Sequence, residues 1–543
     1  MHVTDEAKSI GSYRPEYGSG SEGRSGVWIY ATLVLLALSL YSNLSPALAV
    51  LFDTSVVRIG WPWAVLPVLV AHYSAHRLVP KWRRALEGVS WLAWWAALPV
   101  VLADVFGMAA ARNTTWLVLM AAAEITAAVL VWRLLRNWEM RHRDPVRVSL
   151  GRSPGLLGDR VWLPGEDRFL HLQVLGPTGS GKTRAVLTPL LAQDLARGHG
   201  ATVIDPKGDF AEFAVAELER LGRPYTLLRP GDPRSGHLNP LDGAPSDSAE
   251  AVVYAFDRAF PDGHPFYRPL GQNLVRYSVR ALLEARPGSG LDDLRRFLLD
   301  DDFRLEILTH TEDPSVRSYF RDVFASWPAR TRTEYTAGVV NTLLGLLGEP
   351  ALSDLFSPPA TVDLGALLRE GQVLVVDLPV GRLGAGAGLA GAFILSSLQR
   401  AALKRENGGP AHIVYVDEFG TFAPGGFAEF LALARSKRVG AVLAHQHLGQ
   451  LERGLRTAVE ANARSRVVLG GVASHDAEAI AREALAGPSA QRQLVRELRG
   501  LPRGEAIALL TVKGTLRPPR RVILPRTASR IRARTRQVLT VDA

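Results

Sequence analysis

The segment LHLQVLGPTGSGKT at residues 170–183 has the composition and spacing of a phosphate-binding P-loop. An apolar run ends in a glycine-rich turn, and Lys182 and Thr183 follow directly. The glycines have no Cβ, so the backbone can curl tightly and point N–H groups at phosphate oxygens. We expect Lys182 to reach the β- and γ-phosphates of a nucleotide such as ATP, and the Thr183 hydroxyl to hold Mg²⁺. The alternative is a glycine-rich turn without a ligand. The predicted phosphate-binding residues are Gly176, Pro177, Thr178, Gly179, Ser180, Gly181, Lys182 and Thr183.

An acidic pair follows another apolar run, in the segment HIVYVDEFG at residues 412–420. Ligands of open α/β sheets bind at the carboxyl ends of strands, which is where this pair is expected to lie. Asp417 would hold Mg²⁺ through water, and Glu418 would orient or deprotonate the attacking water. The alternative is a strand that ends in a solvated acidic turn.

Polar residues after the next apolar run could complete the site. Gln446 is in position to touch a γ-phosphate and to report its loss. The neighbouring histidines at 445 and 447 have no third ligand close in sequence, so a metal site is disfavoured. Arginine fingers act in trans in ring ATPases, neutralising the charge of the transition state. The candidates are expected near the same strand ends as the nucleotide, although each could instead be an ordinary surface arginine. They are Arg435, Arg438, Arg464 and Arg466.

Continuous apolar runs that alternate with helical segments predict the elements around this site. Such runs are typical of a parallel sheet covered on both faces by helices. The expected strands cover residues 170–175, 201–204, 225–228, 372–378, 412–416, 439–444 and 466–469. Between residues 246 and 370 strand patterns are replaced by a 3.6-residue period, which predicts a helical insertion. Two late runs, 506–512 and 521–524, predict a hairpin at the sheet edge.

The first quarter of the chain has a different character. Residues 1–26 are polar and rich in Gly and Ser, which predicts a disordered tail. Four apolar stretches follow at 27–44, 61–76, 91–111 and 115–135, and they predict about four membrane-spanning helices. Basic residues cluster between the second and third stretches and after the fourth, so both ends are expected in the cytoplasm. This predicts a multi-pass protein of the cell inner (plasma) membrane with its nucleotide site in the cytoplasm.

Charge and cysteine content narrow the possible partners. The chain has 63 basic and 53 acidic residues, a net charge of +10, and no cysteine. Disulfides, thiolate metal sites and cysteine nucleophiles are therefore excluded. Nine basic residues and no acidic one lie between Glu505 and Asp542. They could bind phosphates of nucleic acid without reading its sequence, or form a solvated or membrane-surface tail.

The ordered set of motifs resembles the type IV coupling proteins, the TraG/TraD-like ATPases of conjugation and type IV secretion. Membrane spans precede GPTGSGKT, and then come IDPKGDF, LNPL, a helical insertion, VLVVDLPVG, VYVDEFG, ARSKRVGAVLAHQHLGQL and PRGEAIAL. The resemblance covers about residues 170–524. It implies a RecA-like P-loop NTPase that assembles as a homo-hexamer, hydrolyses ATP with Mg²⁺ and moves DNA from a relaxase complex to the secretion channel.

The resemblance also implies roles for single residues. Lys182, Glu418, Gln446 and Arg435 would be catalytic, with Arg435 the preferred finger. Asp205 and Lys207 match the DPKG motif, which is expected beside the nucleotide or the subunit interface, and both are predicted to bind the nucleotide. The implied domains are a cytoplasmic tail 1–26, a membrane region 27–136, a basic linker 137–165, RecA-like parts 166–245 and 371–526, an all-helical insertion 246–370, and a basic tail 527–543.

Three other functions fit parts of this pattern. An FtsK-like pump for double-stranded DNA shares the P-loop and the acidic pair, but the helical insertion and the DPKGD segment argue against it. A coupling ATPase that recruits only protein effectors would show no hydrolysis stimulated by DNA. A membrane receptor that binds ATP without turnover would need Lys182 but not Glu418.

Overall fold

An eleven-stranded sheet organises the part of the chain that the computed structural model describes, residues 144–155, 158–259 and 268–525. The strand order is β2-β1-β13-β10-β9-β3-β8-β7-β4-β6-β5, and β11 and β12 form a separate two-stranded ribbon. The strands are β1 Val148–Arg152, β2 Arg160–Leu163, β3 Leu172–Leu175, β4 Gly200–Asp205, β5 Thr226–Leu228, β6 Val373–Asp377, β7 His412–Val416, β8 Val439–His445, β9 Ser465–Leu469, β10 Glu505–Leu509, β11 Thr511–Val512, β12 Thr515–Leu516 and β13 Arg520–Ile523.

Seven adjacent strands, from β9 to β5 in that order, run parallel. All residues of β3, β4, β6, β7, β8 and β9 are buried, which explains their continuous apolar sequences. Strand β8 lies between β3, which precedes the P-loop, and β7, which precedes the acidic pair. The predicted α/β class with a large parallel sheet is therefore confirmed.

The other side of the sheet is antiparallel and differs from the expectation. Strands β10 and β13 pair, with Ala506 opposite Val522, but β13 is not the edge because β1 and β2 continue the sheet beyond it. Both of these strands lie within the stretch 137–165, which the sequence predicted as a linker. Their buried residues alternate with basic ones, for example Val148 and Leu150 beside Arg147 and Arg152, so the net basic composition masked the strand pattern.

Helices cover both faces of the parallel strands. Because successive residues of a strand point to opposite faces, Val203 of β4 packs with α1 and α2, whereas Ile204 packs with helices of the other face. The helices are α1 Thr188–Ala196, α2 Asp209–Leu221, α3 Pro245–Ala259, α4 Arg268–Ala285, α5 Leu291–Leu299, α6 Asp301–His310, α7 Pro314–Ser318, α8 Ala329–Leu347, α9 Pro350–Leu355, α10 Leu364–Glu370, α11 Val380–Leu383, α12 Ala385–Lys404, α13 Phe427–Leu433, α14 Arg453–Asn462, α15 Ser474–Ala484 and α16 Pro488–Gly500.

Between β5 and β6 the described residues contain helices and loops without a strand. The first helix of this region, α3, packs against α4 and also against α12, the helix that precedes β7. The helical region and this face of the sheet share one hydrophobic core, which includes Val252, Leu274, Phe393 and Val416. The helical region is thus anchored on the sheet that carries the P-loop.

Some predicted segments lie outside the described residues. They are the four membrane spans between residues 27 and 135, the tail 1–26 and the basic tail 527–543. Within the described ranges, a helix with the length and apolarity needed to cross a bilayer was not found.

Two buried histidines predict that acid destabilises this fold. His171 Nδ1 accepts a hydrogen bond from the Ala441 N–H at 3.0 Å, and its Nε2 lies 2.8 Å from the Leu431 carbonyl oxygen. Burial lowers the pKa of His171 to about 4 and that of His412 to about 3. The unfolded chain binds protons at these histidines more tightly than the folded protein does. The stabilisation that the neutral histidines provide is therefore fully present above about pH 6.5, and it is lost as the pH falls from there through the folded pKa.

We expect the free energy of unfolding to fall between pH 7 and pH 4, with His171 contributing about 2–3 kcal/mol of the change. Urea unfolding at several pH values measures this change. A His171→Asn variant provides the comparison, since its free energy of unfolding should depend less steeply on pH than that of the wild type. Equal slopes for the two proteins would contradict the assignment.

Candidate functional site

The P-loop lies between the end of β3 and a helix that begins at Lys182, whose first part, Lys182–Leu187, is a π-helix that continues into α1. Gly179 and Gly181 have φ angles of 76° and 100°, a region that residues with a Cβ rarely adopt. The Lys182 side chain lies over the loop, where its Nζ donates to the Gly176 carbonyl at 2.7 Å. The segment therefore has the backbone conformation that a phosphate cradle requires.

The acidic pair follows β7 at the same edge of the sheet. The Thr183 hydroxyl donates to Asp417 Oδ2 at 2.7 Å, so the end of the P-loop and the acidic turn are in direct contact. Asp417 is 1% exposed, and burial raises its pKa despite the opposing hydrogen bond from Thr183 and the charge of Lys207. A hydroxyl and a carboxylate are the oxygen ligands that Mg²⁺ prefers beside substrate phosphates, so these two residues fit the predicted ion.

Glu418 has an unusual backbone and a crowded carboxylate. Its φ of 48° and ψ of 50° place a non-glycine residue in the left-handed region, and its N–H donates to Asp417 Oδ1 at 3.0 Å. Burial alone would raise the pKa of Glu418, but the hydrogen bond from Lys207 and the charges of Lys182 and Lys207 lower it below its ordinary value. Glu418 is consequently held as a carboxylate.

Gln446 connects the two halves of the site. It follows β8, the strand between β3 and β7, and its Nε2 lies 3.2 Å from both carboxylate oxygens of Glu418. Its Oε1 accepts a hydrogen bond from the Thr178 hydroxyl of the P-loop at 2.8 Å. The side chain therefore touches both the loop and the acidic pair, as a residue that senses bound phosphate must.

Both ring nitrogens of the adjacent His445 are within hydrogen-bond distance of other protein groups. His445 is buried, and its ring nitrogens lie 2.9 Å from the Gln173 amide nitrogen and 3.0 Å from the His447 carbonyl oxygen. Among the described residues, a group of three or more His, Cys, Asp or Glu side chains that could hold a metal ion was not found.

The DPKG motif shapes a turn that reaches the acidic pair. Asp205 ends β4, and its carboxylate accepts hydrogen bonds from the backbone N–H groups of Lys207, Phe210 and Ala211 at 2.7–3.0 Å. Burial raises the pKa of Asp205 to about 6 in spite of these bonds. The turn places Lys207 Nζ 2.8 Å from Glu418 Oε1. Asp205 and Lys207 of this motif therefore both lie in the site.

The arginine candidates lie near the amino ends of the strands, which corrects the expectation that they are near the carboxyl ends. Arg435 is exposed in a 3₁₀ turn, Ala434–Lys437, that precedes β8. Because His445 pairs with Leu175 in parallel register, residues before β8 lie at the edge opposite the P-loop. Arg438 and Arg464 likewise precede β8 and β9, and Arg466 is buried in an ion pair with Glu483. An arginine of the same chain therefore does not supply the finger from these positions.

Two groups of polar contacts near the site were not predicted from the sequence. Asp377 ends β6 beside Asp205, and Arg229 Nε donates to its Oδ2 at 2.7 Å. An apolar strand ending in Asp was the available signal, as it was for Asp417. The second group is a buried contact of Arg168 with Asp194 and Tyr415, which are far apart in sequence and carried no signal.

Comparisons with known proteins agree with this geometry. Residues 161–318 match the family described as Type IV secretion-system coupling protein DNA-binding domain. The unbound monoclinic form of the bacterial conjugative coupling protein TrwBdeltaN70 matches with a TM-score of 0.52 at 19% identity, over 72% of this chain and 91% of that one. Curated proteins gave no match.

Two further solved structures are of the plasmid coupling protein TrwB with ligands. Its complex with the GTP analogue GDPNP has a TM-score of 0.52 at 18% identity, over 72% of this chain and 92% of that one. Its complex with ADP and Mg²⁺ has the same score and identity, over 67% and 87% of the two chains. The resemblance to the type IV coupling proteins is thereby confirmed: residues 161–318 match the DNA-binding domain of this family, and the fold is similar to that of TrwB.

Proposed function

We propose that the protein is a membrane-anchored, ATP-driven DNA translocase that acts as the coupling protein of a conjugation or type IV secretion system. The observation that carries the proposal is the meeting of the P-loop, the acidic pair and Gln446 at one edge of the sheet. The Thr183–Asp417 contact of 2.7 Å and the Gln446–Glu418 contacts of 3.2 Å link these elements. The match of residues 161–318 to a DNA-binding domain of coupling proteins supports DNA as the partner.

Each side chain has a distinct part in hydrolysis. Bound Mg-ATP supplies a phosphoanhydride bond whose γ-phosphoryl group can be transferred to water. Lys182 would bind the β- and γ-phosphates, and Thr183 and Asp417 would hold the Mg²⁺ that neutralises the phosphate charge. Glu418 orients the attacking water and accepts its proton. Gln446 would lie near the γ-phosphate. Because Gln446 contacts Glu418 directly, a movement of Gln446 when the phosphate leaves would also move Glu418.

The assembly we propose is a RecA-like homo-hexamer in the plasma membrane. Any of the four candidate arginines would act as a finger from a neighbouring subunit, since they lie at the opposite edge of their own sheet, and the exposed Arg435 is our first choice. DNA would be bound by basic residues without sequence readout, and a relaxase would deliver it. The apolar stretches between residues 27 and 135 would anchor the hexamer beside the secretion channel.

DNA-dependent ATP hydrolysis tests this function. We expect the full-length protein in lipid nanodiscs to hydrolyse ATP slowly alone and at least about tenfold faster with single- or double-stranded DNA, at low salt. Lys182→Ala should remove both activities, because the phosphates lose their cation, and Lys404→Ala, at the end of α12, provides a matched loss of an exposed lysine. Hydrolysis that is indifferent to DNA would contradict the proposal and favour a coupling ATPase for protein effectors.

A further inference from the structure

Lys207 and Glu418 form an ion pair between two neighbouring strands of the sheet. Lys207 lies in the turn after β4 and Glu418 in the turn after β7, and their side chains are 2.8 Å apart. The two partners are unequal in burial, since the Lys207 side chain is 54% exposed and that of Glu418 is 8% exposed. Lys207 can therefore leave into water, whereas Glu418 is enclosed by protein.

The ion pair occupies one of the two oxygens of the carboxylate on which catalysis depends. Glu418 Oε1 accepts from Lys207 and from Gln446, and Oε2 accepts from Gln446 alone. A residue that takes a proton from water must approach that water to within about 2.6–3.2 Å with an oxygen free to accept it. A lysine bonded to Oε1 competes with the water for this position.

The backbone conformation of Glu418 restricts how far its carboxylate can move away from Lys207. The left-handed conformation of Glu418 is held by its N–H bond to Asp417 and by the Thr421 N–H, which donates to the Glu418 carbonyl at 2.8 Å. Apart from the ion pair itself, the hydrogen bond found for Lys207 among the described residues is that of its backbone N–H to Asp205. Of the two partners, the lysine side chain is the one that can move.

We propose that Lys207 is a positioning residue that holds Glu418 in a resting state, and that ATP hydrolysis requires this ion pair to open. The proposal rests on the hydrolytic function proposed above. It differs from the role implied by the DPKG motif, in which Lys207 binds the nucleotide. The two roles predict opposite effects of removing the lysine charge.

The first test compares Lys207→Met with Lys207→Arg in the full-length protein. Loss of the ion pair should raise the kcat of ATP hydrolysis without DNA on the order of 3–5-fold, with an unchanged KM for ATP. Arginine should restore the wild-type rate because it keeps the charge. In a Glu418→Gln background, Lys207→Met should have no effect, since it acts through Glu418. A lower kcat, or a higher KM at the same kcat, would overturn the proposal and favour nucleotide binding.

The second test needs no nucleotide. Acetylation of lysines by acetic anhydride, quantified by mass spectrometry, reports how available each amine is. Lys207 should react more slowly than the exposed Lys513, and Glu418→Gln should speed its reaction several-fold while leaving Lys513 unchanged. Equal reactivity of Lys207 in both proteins would overturn the ion pair. The acetylation result does not depend on whether DNA stimulates hydrolysis. The proposed ion pair and the proposed function can therefore be contradicted independently.

Discussion

Replacing Glu418 with Gln is expected to slow ATP turnover by about 10²–10⁴-fold while leaving nucleotide binding nearly intact. Glutamine is almost isosteric and keeps one hydrogen-bond acceptor, but it cannot accept a proton from water at neutral pH. The residues that bind phosphate and Mg²⁺, namely Lys182, Thr183 and Asp417, remain unchanged. The variant should therefore trap ATP in a bound, unhydrolysed state.

Steady-state phosphate release measures the turnover, and a fluorescent ATP analogue measures binding. The matched control is Glu429→Gln, which removes an exposed carboxylate from the nearby helix α13 and should leave both quantities unchanged. A Glu418→Gln protein that hydrolyses ATP at the wild-type rate would exclude Glu418 as the base. A wild-type protein that binds ATP but does not hydrolyse it would instead favour a receptor without turnover.

Replacing Asp194 with Ala is expected to cost about 3–5 kcal/mol of stability, because it leaves a buried guanidinium without its partner. Asp194 is fully buried in α1 and receives two hydrogen bonds of 2.6 Å from Arg168, as well as one from the Tyr415 hydroxyl. Arg168 precedes β3, and Tyr415 lies in β7, two residues before Asp417. The contact thus ties the P-loop helix to the strand of the acidic pair.

Urea unfolding of three variants measures this cost. The double variant Arg168→Met with Asp194→Leu should lose less stability than Asp194→Ala alone, since no buried charge is left unpaired. Asp209→Asn, at the start of α2, provides a control with an exposed carboxylate. A loss below about 1 kcal/mol for Asp194→Ala would contradict the role of this contact.

The parts of the site that depend on local sequence could be predicted. The glycine spacing before Lys182 predicts the loop that follows β3, and the apolar run before Asp417 predicts the strand that the acidic pair follows. In both cases the residues of the site and the element that positions them are neighbours in the sequence. The structure adds that β8 separates β3 from β7, which explains why Gln446 reaches both Thr178 and Glu418. Strand order depends on packing between distant segments, and no local pattern encodes it.

The features that escaped prediction share this non-local origin. The Lys207–Glu418 ion pair joins residues that lie on neighbouring strands but are 211 positions apart in sequence. Arg435 was expected near the phosphate edge, yet its place before β8 puts it at the opposite edge, a consequence of strand direction. Strands β1 and β2 were hidden by arginines on their exposed sides.

The dependence of ATP consumption on DNA length tests the central claim most directly. A protein that moves along DNA takes more steps per encounter on a longer molecule. The ATPase rate of the full-length protein at saturating DNA should therefore rise with length, from one binding site to many, and then reach a plateau. Glu418→Gln should abolish the activity at every length. If the rate is the same on all DNAs that fill the binding site, the protein is activated by DNA without moving along it, and the translocase account is contradicted.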